Sequence, residues 1–440
     1  MHHRSRSSSL SFILGVAGGA AVLALCVSAT ATAQRPDTIR VLRLTRQQAI
    51  REALAYNPTL QVSREQVAQA RARVTQAQAL PEPSLGASIV GQGGAFRPRS
   101  GNEADLSLGV TIPFPTKILL QGQAAKGDLG SADESYVLQR QLVAFQTIQA
   151  YDSLLVSLMH RRNLEDARKA TQDFLDKTRA RFNAGTVAKL DVIKAQVGVA
   201  QAENDLIANE RGVANARSAL NRLLGRVLGA SVEPADSLTI PDAPPELGQL
   251  EAIAMARRPE LRGLQSEQAG ARASARLAQH YILPDVDLSI TRSHPYGAES
   301  AYETGIGFSL PIFFWQHQRG EVAEAEHRQY ELAAQYKDLA AQVGEDLRTS
   351  YATATTSLRQ VIYLRDELLP SAREAYRIAS TSYTLGGSSA LEVIDALRTL
   401  VDAETQYAAA LGAVNDAFAD LERATGAPLS SVSGGGSDAR

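Results

Sequence analysis

The sequence predicts a mainly α-helical chain, duplicated end to end, that carries four short strands suited to a small membrane β-barrel. Three observations lead there. Two stretches repeat one motif at an offset of 201 residues: FNAGTVAKLDVIKAQ at 182–196 and YTLGGSSALEVIDAL at 383–397. The stretch from Gly122 to Phe182 holds no proline, in a composition rich in Ala, Gln, Arg, Glu and Leu, as long helices require. Four segments alternate apolar and polar residues with a period of two.

The chain opens with MHHRSRSSSLSFILGVAGGAAVLALCVSATATAQ. Arg4 and Arg6 form a basic start, Leu10 to Val27 an apolar core, and Ala31-Thr32-Ala33 a small-residue cleavage site. Residues 1–33 are therefore expected to be a secretory signal, with an uncleaved anchor as the alternative. Cys26, the only cysteine, lies inside it, so the mature chain forms no disulfide. Leu23-Ala24-Leu25-Cys26 partly resembles a lipoprotein box, but Leu25 stands where such boxes carry a small residue; lipid attachment stays open. Cleavage takes the net charge from −2 to −4, and no basic surface calls for nucleic acid. Beyond the signal no apolar run reaches the roughly 20 residues of a membrane helix, so membrane residence would fall to strands.

The repeat extends well past the opening pair. Gly185, Leu190, Glu203, Leu220 and Gly225 recur as Gly386, Leu391, Glu404, Leu421 and Gly426. Upstream, ALAYNPTL (53–60) resembles AMARRPEL (254–261), and LPEPSLGASI (80–89) resembles LPDVDLSI (283–290). This divides the chain into a first repeat at 34–228, a Pro-rich linker at 229–247, a second repeat at 248–426 and a flexible tail at 427–440. Each repeat reads as a short helix, a second helix from Pro58 or Pro259, two strands, a very long helix, a Gly bend and a last long helix.

The strands are expected at 84–90, 105–112, 285–291 and 303–310. The linkers within each pair are polar and rich in Gly and Pro, so each pair is a hairpin. Two readings of the strands are open: hairpins packed on the helices of a soluble protein, or apolar-out strands of a membrane barrel. The signal favours the second. So do Phe114 and the run Phe313-Phe314-Trp315, placed at strand ends where barrels carry an aromatic girdle. Four strands cannot close a barrel, and lipid does not tolerate open edges, so several chains would share one; three would supply twelve strands.

At about 1.5 Å per residue the proline-free stretch spans about 90 Å, too long for an ordinary globule. Its partner runs from about 320 to 384, with a kink expected at Pro370. Apolar positions step by threes and fours at Leu138, Leu142, Phe145, Ile148, Tyr151, Leu155 and Leu158, and again from Ile394 through Leu397, Val401, Ala408, Leu411, Val414 and Phe418 to Leu421. These are seams that need a partner helix. The Gly bends fold each long helix back on the next.

This order of elements resembles the TolC family of outer-membrane efflux proteins over about residues 43–426. AGTVAKLDVIKAQ, LGGSSALEVIDAL and the opening LTRQQAIREALAYNPTL carry the resemblance. VTIPFPTKILLQG is similar to the Pro-Phe-Pro-Gly-Lys turn of members that serve heavy-metal pumps, with Thr116 in place of the Gly. The resemblance implies a homotrimer: a twelve-stranded β-barrel in outer-membrane lipid, continued by a twelve-helix α-barrel across the periplasm. It implies an inner-membrane pump of the resistance-nodulation-division class and a periplasmic adaptor (membrane fusion protein) that grips the tips. The tips close the tunnel and open by an iris-like untwisting. A soluble periplasmic coiled-coil scaffold or adaptor is the alternative function.

No catalytic constellation appears and no cofactor is implied; the seven His lack metal-ligand spacing. Asp285 and Asp287 alternate on the polar strand face, which favours lumen lining over a cation site. Glu392 and Asp395 share one helical face, and the resemblance places them, with Tyr383 and the matching Asp191, at the aperture. Asp191 has Lys194 at hand where the second repeat has Asp395. The acids have a simpler reading too, as first-turn residues that favour the helix dipole. The family's lock pairs the Tyr383 position with an Arg about five residues on, where this chain has Ser388. Gly185, Thr186, Leu190, Gly386 and Leu391 are the expected adaptor contacts, with plain turn chemistry as the alternative.

Overall fold

A computed structural model describes residues 42–90, 103–294, 299–309 and 314–429. The signal at 1–33, Cys26 and Phe313 lie outside the described residues. Nine α-helices and six strands are described. The first repeat holds β1 (Leu42–Leu44), α1 (Arg46–Tyr56), α2 (Pro58–Gln78), β2 (Ser84–Val90), β3 (Glu103–Ile112), α3 (Pro115–Asn183) and α4 (Lys189–Leu223). After β4 (Val232–Pro234) come α5 (Leu247–Arg257), α6 (Pro259–Gln279), β5 (Asp285–His294), β6 (Ala301–Ser309), α7 (Phe314–Tyr363), α8 (Leu369–Leu385) and α9 (Ala390–Thr425).

Local signals account for most boundaries. Thr45 and Gln48 form a capping box that starts α1. Asn57 ends α1 and caps α2, whose first residue is Pro58. The Asn57 side-chain Nδ2 donates to the Leu223 carbonyl at 2.9 Å, tying this junction to the end of α4. In the second repeat Arg258 takes the same place. It is buried, donates to the Ala424 carbonyl at 2.9 Å, and pairs with Glu260 and Asp346. The repeats thus keep one connection with two different side chains.

α3 is a single 69-residue helix, on the order of 100 Å long. It starts earlier than the glycines suggested, because Pro115 sits well in a first turn. Its fully buried stripe is Val143, Thr147, Tyr151 and Leu154, whereas Leu142, Phe145 and Ile148 of the expected seam are half-buried. The stripe is wider than one coiled-coil seam because α3 packs against α4 on one side and α6 and α9 on others. α3 is also the described helix long and apolar enough, by composition, to cross a membrane; its buried stripe is spent on these neighbours. The second long run differs. Before Pro370 the helix widens into one π turn, Leu364–Leu368, with the Leu369 amide donating to the Leu364 carbonyl. Proline has no N–H to give and would crowd the carbonyl four residues back. The inserted residue accommodates that conflict, and helix resumes directly at Leu369.

β2, β3, β5 and β6 form one antiparallel sheet in that order. β3 and β5 run longer than expected, and pair with each other from Ala104–His294 to Ile112–Val286, which joins the repeats. Two short strands went unread in the sequence. β1 and β4 pair in parallel, so the linker is anchored. Of the stretch expected as a tail, 427–429 is described: Ala427 is buried, and the Leu429 amide donates to Glu422 at 3.0 Å.

α3 and α6 come into backbone contact at Gly127 and Gly270. A Cβ on Gly127 would lie 2.5 Å from the Gly270 Cα and 2.8 Å from the Ser266 carbonyl. Backbone cannot swing aside, so Gly127→Val is expected to destabilise the protein by about 1–3 kcal/mol. Thermal unfolding in detergent followed by circular dichroism measures this; a native midpoint would refute the close approach.

Candidate functional site

Two regions carry the features that a function can use, the hairpin tips and the sheet. At the first tip α3 ends at Asn183 and Gly185 takes a φ of +75°. The Gly185 amide donates to the Phe182 carbonyl, and the Thr186 amide and hydroxyl both donate to the Arg181 carbonyl at 2.9 Å. At the second, Gly386 takes a φ of +87° and Gly387 donates to the Ser382 carbonyl. Left-handed φ at the end of a helix is glycine's natural place. Nothing lies within 4 Å of a Cβ on Gly185, and Gly185, Thr186, Leu190, Gly386 and Leu391 are all exposed. The five expected contact residues thus project freely.

Ser389 and Glu392 form a capping box at the start of α9, with the Glu392 carboxylate accepting from the Ser389 amide at 3.4 Å. Glu392 therefore has the local task of a helix start. Asp395 is exposed on the same face. Among the described ion pairs none joins Asp191 to Lys194.

Tyr383 is 2% exposed. Its hydroxyl donates to the Thr178 hydroxyl at 3.1 Å. Its ring lies 5.0 Å from that of Phe174, centre to centre, and the Arg181 guanidinium sits 4.6 Å over it. Arg181 also donates to the Tyr383 carbonyl. Phe174, Leu175, Ala195, Ala390 and Val393 complete a core shared by both hairpins. An arginine thus meets Tyr383 from the first hairpin rather than from position 388. Sequence reasoning looked for it downstream on one helix. The available signal was Arg181 directly before Phe182, the residue that matches Tyr383 in the repeat.

In the sheet the two faces differ. Ser293 donates to Asp105 at 2.6 Å, and Thr111 donates to Asp287. Asp285 accepts from Lys117 at 2.8 Å and from the Phe114 amide at 3.0 Å, so these acids hold the polar face and the start of α3. Among the described residues no cluster of three or more metal-binding side chains appears. The apolar face carries Leu85, Leu106, Leu108, Leu288, Ile290, Ile306 and Phe308, and it is bare: Leu85 is 72% and Ile306 73% exposed. Among the described residues β2 and β6 are edges without a neighbouring strand. Phe114 is 36% exposed at the start of α3; Phe314 and Trp315 open α7.

The sequence matches the outer membrane efflux protein family twice, over residues 49–226 and 252–427. The chain belongs to that family. This outer membrane efflux protein is 27% identical to the outer membrane protein TolC of Salmonella enteritidis over 82% of this chain and 77% of that one. It is 23% identical to the cobalt-zinc-cadmium resistance protein CzcC of Cupriavidus metallidurans, over 87% of this chain and 90% of that one. Its fold matches crystal structures of CusC, with a TM-score of 0.75 at 18% identity over 88% of this chain and 93% of that one. It also matches the outer-membrane channel OprN, with a TM-score of 0.73 at 20% identity over 87% of this chain and 90% of that one. This efflux protein is an outer-membrane exit duct. The bare apolar sheet face argues on its own against the reading as a soluble scaffold.

The clasp at the tips is open to a direct test. Tyr383→Phe removes one hydrogen bond and is expected to cost about 1 kcal/mol. Arg181→Ala removes the cation over the ring and its bond to the carbonyl, and is expected to cost about 1–2 kcal/mol. Hydrogen exchange at the start of α9 reads both, with faster exchange in the order native, Tyr383→Phe, Arg181→Ala. Equal protection in all three would show that the clasp holds nothing.

Proposed function

We propose that three copies of this chain close one twelve-stranded barrel in the outer membrane and continue it as a twelve-helix periplasmic tunnel. The observation that carries this is a four-stranded sheet with a bare apolar face and two unpaired edges. In lipid those edges must be paired, and copies of the same sheet pair them. The strands run 7 to 10 residues, near the span of a membrane strand. Phe114, Phe313, Phe314 and Trp315 form the aromatic girdle at the periplasmic rim. On the helices, Leu190, Ile193, Val197 and Ile207 of α4 and Ile378 and Leu385 of α8 are exposed. These apolar edges suit a neighbouring copy.

Each chain contributes repeats at 34–228 and 248–426 after removal of the signal at 1–33. Substrate passes from an inner-membrane pump, and a periplasmic adaptor meets the tips at Gly185, Thr186, Leu190, Gly386 and Leu391. The Pro113–Lys117 turn and the likeness to CzcC support a pump of the resistance-nodulation-division class. Tyr383 and Arg181 hold the tips shut, and Glu392 and Asp395, with Asp191 beside them, line the aperture. Six carboxylates from the second tips around one axis draw cations and slow anions.

Two experiments test this. Expressed with its signal, the protein is expected in the outer-membrane fraction, requiring detergent, and crosslinking to a three-chain species. Recovery as a soluble periplasmic monomer would sink the proposal. For the aperture, Glu392→Gln with Asp395→Asn removes the charge while the capping box keeps its hydrogen bonds. In planar bilayers this pair is expected to lower the preference for cations by about two-fold or more; unchanged selectivity would refute the charged ring.

A further inference from the structure

Where the two repeats meet, well above the tips, one cation serves several acids. Asp152 of α3 is fully buried, with a relative exposure of 0%. One of its oxygens accepts from Arg46 of α1 at 2.6 Å. The other, Oδ2, is buried without a partner, and so is Oδ1 of Asp416 on α9. Arg46 is further engaged by the Asn415 side chain at 3.2 Å, and its amide donates to Asp236 at 2.6 Å. Tyr151 lies alongside, its hydroxyl donating to the Leu44 carbonyl at 2.8 Å.

Among the described residues the other cation near this stretch of α9 is Arg423, and Asp420 takes it up. Asp420, one turn on in α9, already accepts from Ser350 and Arg423. Glu422 is also acidic and accepts from the Leu429 amide. α7 presents Ala354, Leu358 and Val361, and α4 presents Val213, Ala216 and Leu220, all uncharged. A buried carboxylate oxygen without a donor is costly, and two facing acids cannot both be charged beside one guanidinium without penalty. A proton on one of them removes a charge and turns an acceptor into a donor.

We propose that Asp416 and Asp152 form a proton-binding site that latches α3 of the first repeat to α9 of the second, and that releasing its proton loosens this contact. The inference does not rest on the trimer or on the barrel. Burial first, then the charge of Asp152, raises Asp416 to about 7, against the pull of Arg46. Burial raises Asp152 to about 6, opposed by Arg46. Both values stand above the 3.8 of a free Asp. The folded chain therefore binds the proton more tightly than the unfolded one. The stabilisation is complete below about pH 4 and is lost as pH rises through about 7. A cleft of about 390 Å³, lined by Thr45, Arg46, Tyr151 and Asp236, brings water up to Arg46, the cation of the site.

The test uses the full chain in detergent. In infrared spectra, a protonated carboxyl is expected at pH 5.5, lost by pH 8, weakened in Asp416→Asn and unchanged in Asp236→Asn. In hydrogen exchange, corrected for intrinsic rates, protection of α9 around Asp416 is expected to fall about ten-fold or more between those pH values. Asp416→Asn is expected to remove most of that fall. If Asp416→Asn does not fold, the infrared titration of the unmodified chain decides alone. No protonated carboxyl at pH 5.5, or the same pH dependence in Asp416→Asn, would overturn the proposal.

Discussion

The apolar stripe of α3 has to be covered on several sides at once, because a 69-residue helix exposes more apolar surface than one neighbour removes from water. α4 covers one side, α6 and α9 take others, and α2 lies along the start. Burial of this kind is non-directional and scales with area, so it fixes which helices gather but not their registers. The registers come from local devices: Gly127 against Gly270, Asn57 onto Leu223, Arg258 onto Ala424, and the ring of Tyr383 under Arg181. Loss of the stripe would leave these devices with nothing to position.

The architecture was legible because its signals are long-range repetition and long periodic runs. The junctions at Pro58 and Pro259, the bends at Gly185 and Gly386 and the four sheet strands were all readable from residue type and spacing. Three kinds of feature were not. β1 and β4 are three residues each, too short for any period to show. The π turn before Pro370 is a compromise between two helical turns, and residue types announce only the conflict. The clasp at Tyr383 joins residues 202 apart, Arg181 and Tyr383, and the repeat alignment alone, with Arg181 directly before Phe182, hints at such a contact.

The charged residues divide in the same way. Glu392 and Asp395 stood out as neighbouring acids, and the structure leaves them exposed while giving Glu392 the work of a helix start. Asp152 and Asp416 did not stand out. Each sits singly within an apolar seam, where a lone acid reads as a surface residue. Their interest arises from burial and from the shortage of cations around Arg46, and only three-dimensional packing reveals that.

The clasp at the tips is made within one chain. Its two halves are tethered by a folded body, so each meets the other at an effective concentration that dilution cannot change. A lock built between copies would form only after they had met, and would weaken with every lost neighbour. Here the second tip of each folded chain is already drawn against the first. Parting the two tips of a chain is therefore work done against contacts that no change in protein concentration relieves.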